Sequence, residues 1–276
     1  MKIRTLTAQL VISTLLFSSS YAAPFGQVTV ADPLMGSRSI VYEQINDFAV
    51  VEGDILIGKV DQLQHQGAVI TNKVGGFRWP NGIVPFEISE DLPFMNKLAV
   101  YQAIDHWKKN TNLEFVELTS KNRYDYKDYI SFIPAGGTTC SSYVGRQGGK
   151  QEINLAPRCN TMNTVHEIGH AMGLWHEQSR ADRSSYIRIV WENIEEEHRH
   201  NFEQQLTDGK DFGEYDYGSI MHYGQFAFSK NGQATLIPLV DGVEIGQRNH
   251  LSEKDIAAIK AMYPQAYTKH QSGAFS

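Results

Sequence analysis

"TVHEIGHAMGLWHEQSRADR", Thr164 to Arg183, packs three histidines and two glutamates into its first fourteen positions. On a helix, His166 and His170 stand four residues apart, on one face and one turn from each other. Two imidazoles so placed can reach one ion, and neutral imidazole is a preferred zinc ligand. Glu167 projects to the side of that face, where it can take a proton from water on the metal without binding the metal itself. Gly173 can adopt the left-handed conformation that ends a helix, so the chain can turn and return His176 as a third ligand. Three protein nitrogens leave a fourth position for water, the mark of a catalytic zinc site, where the pKa of water falls to about 7. The short HExxH pattern arises readily by chance; the extended HExxHxxGxxH does not. His65, His106, His198, His200, His250 and His270 have no such pattern and read as solvated or core residues.

Working outward, the chain reads as α+β. "IVPFEI" (83–88), "LEFVEL" (113–118), "YISFIP" (129–134) and "EINLA" (152–156) have strand composition. "LAVYQAIDHWKKN" (98–110) carries Val100, Ile104 and Trp107 at helical spacing. "SEKDIAAIKAMY" (252–263) is a second helix with Ser252 as its cap, and "WENIEEEHRHNFEQQL" (191–206) looks helix-like. Residues 23–69 alternate apolar and polar side chains without a long helix, and form a leader distinct from the rest of the chain.

At the N-terminus, Lys2 and Arg4 precede the apolar run Leu10–Phe17 and the small residues ending at Ala22. That order is a secretory signal with a cut after Ala22, and the run is too short to span a bilayer. The only two cysteines, Cys140 and Cys159, read as a disulfide in an exported chain, two buried free thiols being the alternative. Closing that loop removes roughly 3 kcal/mol of denatured-state entropy. A net charge of −6 without a basic stripe argues against nucleic acid as a partner, and no later segment suits a membrane.

The stretch His166–Arg183 resembles the signature of the astacin family of metzincin zinc endopeptidases, with Glu177 as the mark that sets this family apart. "SIMHYG" (219–224) resembles its Met-turn, and "CSSYVGRQGGKQEINLAPRC" (140–159) its disulfide and substrate-binding edge strand. The likeness runs from Trp79 to Tyr263. It implies a zincin-like domain: a twisted, mostly parallel upper sheet with backing and active-site helices, above an irregular lower half with a C-terminal helix. It implies one zinc ion on His166, His170 and His176, with Glu167 as general base and acid. Tyr223 would be a displaceable fifth ligand that stabilises the oxyanion, Met221 an apolar floor, and Glu177 a contact for the new N-terminus. Substrate would lie extended along the edge strand, for which "KQEINLA" (150–156) is the candidate.

The same resemblance implies a zymogen inhibited by its own pro-segment. "VEGDI" (51–55) is similar to the family's F-x-G-D pattern, with Val51 where the aromatic is usual, and would put Asp54 on the zinc in place of water. A plain Gly-Asp turn is the alternative. The expected organisation is a signal peptide (1–22), a pro-segment (23–69), a catalytic domain (70–264) and a flexible tail (265–276), acting as a monomer. Maturation would fall near Ala68 to Ile70, where no basic residue stands. The family's second disulfide has no cysteines here. A catalytically dead binding protein on this fold is the rival; intact Glu167 and Tyr223 weigh against it.

Overall fold

The structure, a computed structural model, describes residues 25–32, 36–66, 77–206, 209–264 and 266. The expected signal peptide, the maturation site near Ala68 to Ile70 and, apart from Ala266, the tail lie outside the described residues. The leader's alternation becomes four strands: β1 (Phe25–Asp32), β2 (Gly36–Ile45), β3 (Phe48–Val51) and β4 (Ile55–Lys59). They pair antiparallel in sequence order, and a short helix α1 (Val60–Gln66) follows. The next stretch gives β5 (Ile83–Ile88), α2 (Phe94–Asn110), β6 (Glu114–Glu117), β7 (Tyr129–Pro134), β8 (Ser141–Ser142) and β9 (Lys150–Leu155). Then come α3 (Thr161–Met172), β10 (Ile187–Ile189), β11 (Leu236–Pro238) and α4 (Glu253–Met262).

One nine-stranded sheet runs β1-β2-β3-β4-β8-β9-β7-β5-β6. Within it β9, β7, β5 and β6 are mutually parallel, and only β8 runs against β9. The part of the sheet from β5 to β9 is therefore mostly parallel, as expected, and strands β1–β4 extend it. Its apolar face is covered by α2 and α3, the covering such a sheet needs. Val84, Phe132 and Ile153 from the strands meet Val100 and Trp107 of α2 and Ile168 and Met172 of α3, all buried. The buried indoles of Trp107 and Trp79 donate to Val165 O (3.1 Å) and Ala171 O (2.9 Å), which anchors α3 from two sides. Cys140 and Cys159 form a disulfide. No described helix is long and apolar enough to cross a membrane.

Three expectations shift. α2 begins at Phe94, a turn before the periodic pattern, because Phe94 and Met95 are 77% and 68% exposed and contribute no buried face. The run 191–206 is no α-helix; it folds as 3-10 turns at Trp191–Asn193 and Glu196–Phe202. Its polar groups bond outward instead: Glu195 N to Phe228 O at 3.0 Å and the Asn193 amide to Ala234 O at 2.8 Å. Finally, β9 is not an edge. It is flanked by β7 and β8, and the outer side of β8 pairs in parallel with leader strand β4 through Ile55 and Ser142. Setting the leader strands aside, the outermost strand on that side is the two-residue β8, too short to show a strand pattern.

Candidate metal centre

Helix α3, which carries His166 and His170, has defined ends. Asn160 accepts from Met162 N and Asn163 N at 2.9 and 3.0 Å, and the Asn163 side chain returns a bond to Asn160 N. At the other end Gly173 takes φ 108°, and Leu174 N closes on Gly169 O at 3.0 Å. Beyond that bend His176 enters the site from a new direction, as the glycine suggested.

The three imidazoles converge. His166, His170 and His176 with Asp54 form a cluster whose ligand atoms all lie within 4.8 Å of one another, the one such group among the described residues. Asp54 Oδ2 is 3.2 Å from His166 Nε2; its Oδ1 is 3.5 Å from His170 Nε2 and 3.2 Å from His176 Nε2. His176 Nε2 and His166 Nε2 are 3.3 Å apart. Four ligands about 2.0–2.1 Å from a tetrahedral zinc ion lie about 3.3 Å from each other, close to these separations of 3.2–3.5 Å, so the cluster is compact enough to hold that ion.

The proton inventory agrees. His166 Nδ1 donates to Ile220 O and His170 Nδ1 to Leu174 O, both at 2.8 Å, and His176 Nδ1 faces Glu52 Oε2 at 2.8 Å. With each Nδ1 carrying the proton, each Nε2 presents a lone pair to the centre. The buried His170 Nε2 and Asp54 Oδ1 have no hydrogen-bond partner, and two lone pairs facing at 3.3 Å repel unless a cation lies between them. Burial pushes His166 down to about 3. Burial also opposes charge on His176, yet Asp54 and Glu52 raise it to about 9. Asp54 would be raised by burial, but the His176 charge and the close approach of the three rings hold it well below the carboxylate range.

Glu167 is buried beside the cluster, and its Oε2 has no partner. Burial raises its carboxyl, Asp54 adds to the rise, and Arg248 opposes it. Glu167, Arg248 and Thr138 line a cleft that Asp54 enters. Met221 packs below: a Cβ on Gly169 would lie 2.7 Å from its sulfur, so that glycine lets the turn approach the helix. The Tyr223 hydroxyl donates to Glu52 O, its amide to Gln178 Oε1 at 3.0 Å, and its ring sits 4.7 Å from that of His176. Glu177 accepts from Asp216 N at 2.7 Å with Arg180 beside it, and burial pushes its carboxyl up to about 8.

Three further residues of the site carry no signal in the sequence. Asp255 looks like a helix-end acid, but it holds the Met-turn through Ser219 Oγ (2.6 Å) and Ile220 N (2.9 Å), and Ile220 O in turn orients His166. Arg248 belongs to no motif. Glu52 sits inside "VEGDI", with a φ of 48° that a non-glycine residue rarely adopts. Gly53 follows at φ 76°, and a Cβ there would strike Phe228 at 2.7 Å, so the turn that inserts Asp54 needs a glycine.

Residues 72–264 match the family model described as "Astacin", a peptidase family. A zinc metalloproteinase of Caenorhabditis elegans, nas-13, is 40% identical over 189 residues, covering 67% of this chain and 41% of that protein. The mouse (Mus musculus) astacin-like metalloendopeptidase is 36% identical over 240 residues, 84% of this chain and 52% of its own length. The chain thus spans about half or less of these curated relatives. Among solved structures, the hatching enzyme zinc-protease high choriolytic enzyme 1 of Oryzias latipes is similar with a TM-score of 0.60 and 35% identity, over 68% of this chain and 92% of that one. The chain belongs to the astacin family.

Proposed function

We propose that this chain is an exported zinc endopeptidase, made as a zymogen, that hydrolyses internal peptide bonds of proteins. The observation that carries this reading is the convergent His166, His170, His176 and Asp54 set, with an unpartnered carboxylate oxygen of Glu167 beside it. His166, His170 and His176 would hold the zinc ion, which would supply Lewis-acid polarisation of the scissile carbonyl and a water of pKa about 7. Glu167, buried and with its Oε2 unpartnered, takes the proton from attacking water and passes it to the leaving amine; its raised carboxyl suits a group that accepts and then returns a proton. The Tyr223 hydroxyl, once free of the Glu52 carbonyl, donates to the oxyanion. Substrate pairs with β8 in the place that β4 takes here.

Latency belongs to the same reading. Asp54 takes the position of the attacking water and Glu52 ties up Tyr223, so the leader blocks both nucleophile and oxyanion donor. Residues 1–22 direct export, and the mature chain acts as a monomer. The test is casein cleavage by the protein after leader removal, with and without a chelator, beside Glu167→Gln. Chelator-sensitive cleavage absent from the variant is expected. Cleavage that survives either treatment would overturn the reading, and no cleavage by the mature wild type would favour a binding protein.

A further inference from the structure

Each of the three imidazoles is oriented through its Nδ1, but not by the same part of the chain. Ile220 O and Leu174 O, which serve His166 and His170, are backbone of the catalytic part. The partner of His176 is the carboxylate of Glu52, a leader residue only 2% exposed. That carboxylate is held from several sides. The Gln205 amide donates to its other oxygen, Glu52 O receives the Tyr223 hydroxyl, and the residue keeps a left-handed φ of 48°. Such a backbone is strained for a non-glycine and persists where the surroundings fix it.

A carboxylate behind a ligating imidazole fixes its tautomer and raises its basicity toward the metal. We infer that Glu52 makes the leader a metal-retaining element: through His176 it tightens the grip on zinc during latency, separately from Asp54. When the leader departs, His176 loses a charge-assisted bond. The Gln205 amide that donates to Glu52 is neutral and brings no charge to replace it. The mature form then holds its ion less tightly than the zymogen by more than the loss of Asp54 accounts for. This rests on the zinc reading above.

The test uses the full chain carrying Glu167→Ala, so that no turnover intervenes, and measures zinc affinity by competition with a chromophoric chelator. Glu52→Gln keeps the side-chain volume and removes the charge. Its affinity should fall about 10–100-fold, and by a similar factor again in a chain that also carries Asp54→Ala. Unchanged affinity overturns the inference. So does an effect that vanishes in the Asp54→Ala chain, since Glu52 would then merely seat Asp54. Should Glu52→Gln disturb folding, seen by near-ultraviolet circular dichroism, zinc affinity of the Asp54→Ala chain is compared before and after leader removal; no loss overturns the inference. His176→Ala is the control for the site itself: zinc bound as tightly as by the parent sinks the underlying zinc reading as well.

Discussion

Trp107, in the sheet-and-helix half above the cleft, and Arg180, in the half below, are both buried, yet their surroundings have little in common. The indole is packed by apolar side chains from strands and from α3, with one hydrogen bond to Val165 O. The guanidinium grips Asp182 with two bonds (2.9 and 2.8 Å), reaches Phe212 O and Gly213 O, and lies over the Tyr215 ring. Above, burial of apolar surface does most of the holding. Below, side chains bind irregular backbone in place of a regular ladder. The cleft between them is lined from both: by Glu167 of α3 and by Tyr223 of the segment 219–224.

The largest expected effects probe that division in the matured protein. Glu167→Gln should lower kcat/KM by about 10²–10⁴, the range for a general base, with zinc content unchanged. Tyr223→Phe should lower it by about 10²–10³, the range for an oxyanion donor. Steady-state kinetics on one peptide read both. If Tyr223→Phe alone were silent, the lower half would supply only a ligand and a wall.

Next comes the core above. Trp107→Ala removes a fully buried side chain and should cost about 3–5 kcal/mol in urea unfolding. A loss below about 1 kcal/mol would mean that α2 repacks, and that the upper half depends less on apolar packing than its contacts suggest.

The same contrast explains what can be read from sequence. Val100, Ile104 and Trp107 announce α2 because one face of a helix is buried against a sheet, and burial leaves a period in the sequence. The motif His166–His176 is legible for a similar reason: helical spacing and a glycine bend are local facts. Asp255 and Glu52 are not local. Each acts on residues 35 or more positions away in the chain, through hydrogen bonds that leave no period. The run 191–206 misleads because its Glu and His residues suit a helix, while Asn193 and Glu195 are claimed by Ala234 and Phe228. The edge role passes from β9 to β8 because a two-residue strand has no pattern of its own.

Gly169 lies on the seam between the halves. In a helix interior Gly→Ala ordinarily gains about 1 kcal/mol. Here the new Cβ would sit 2.7 Å from Met221 Sδ, and overpacking a tight contact costs about 1–3 kcal/mol. The sulfur can yield part of the distance, so a small net loss in thermal stability is expected, together with weaker zinc binding as the floor shifts. A stabilised Gly169→Ala protein with unaltered zinc affinity would show that the Met-turn does not press on the helix.

The smallest effect isolates the polar network below. The Arg180 hydrogen bonds lower the Asp182 carboxyl from its ordinary value of 3.8. A carboxylate whose folded pKa is depressed adds stability above its unfolded pKa and loses it as pH falls through the folded one. The stability gap between wild type and Asp182→Asn should therefore be flat from neutrality to about pH 5 and close below about pH 4. Asp182 is 39% exposed, so solvent screens the pair and the plateau should be about 0.2–1 kcal/mol. Trp107→Ala measured alongside should show no such closure, because its packing is apolar. A pH-independent gap for Asp182→Asn would mean that the Asp182 charge adds nothing to the hold that the Phe212 and Gly213 carbonyls and Glu177 keep on Arg180.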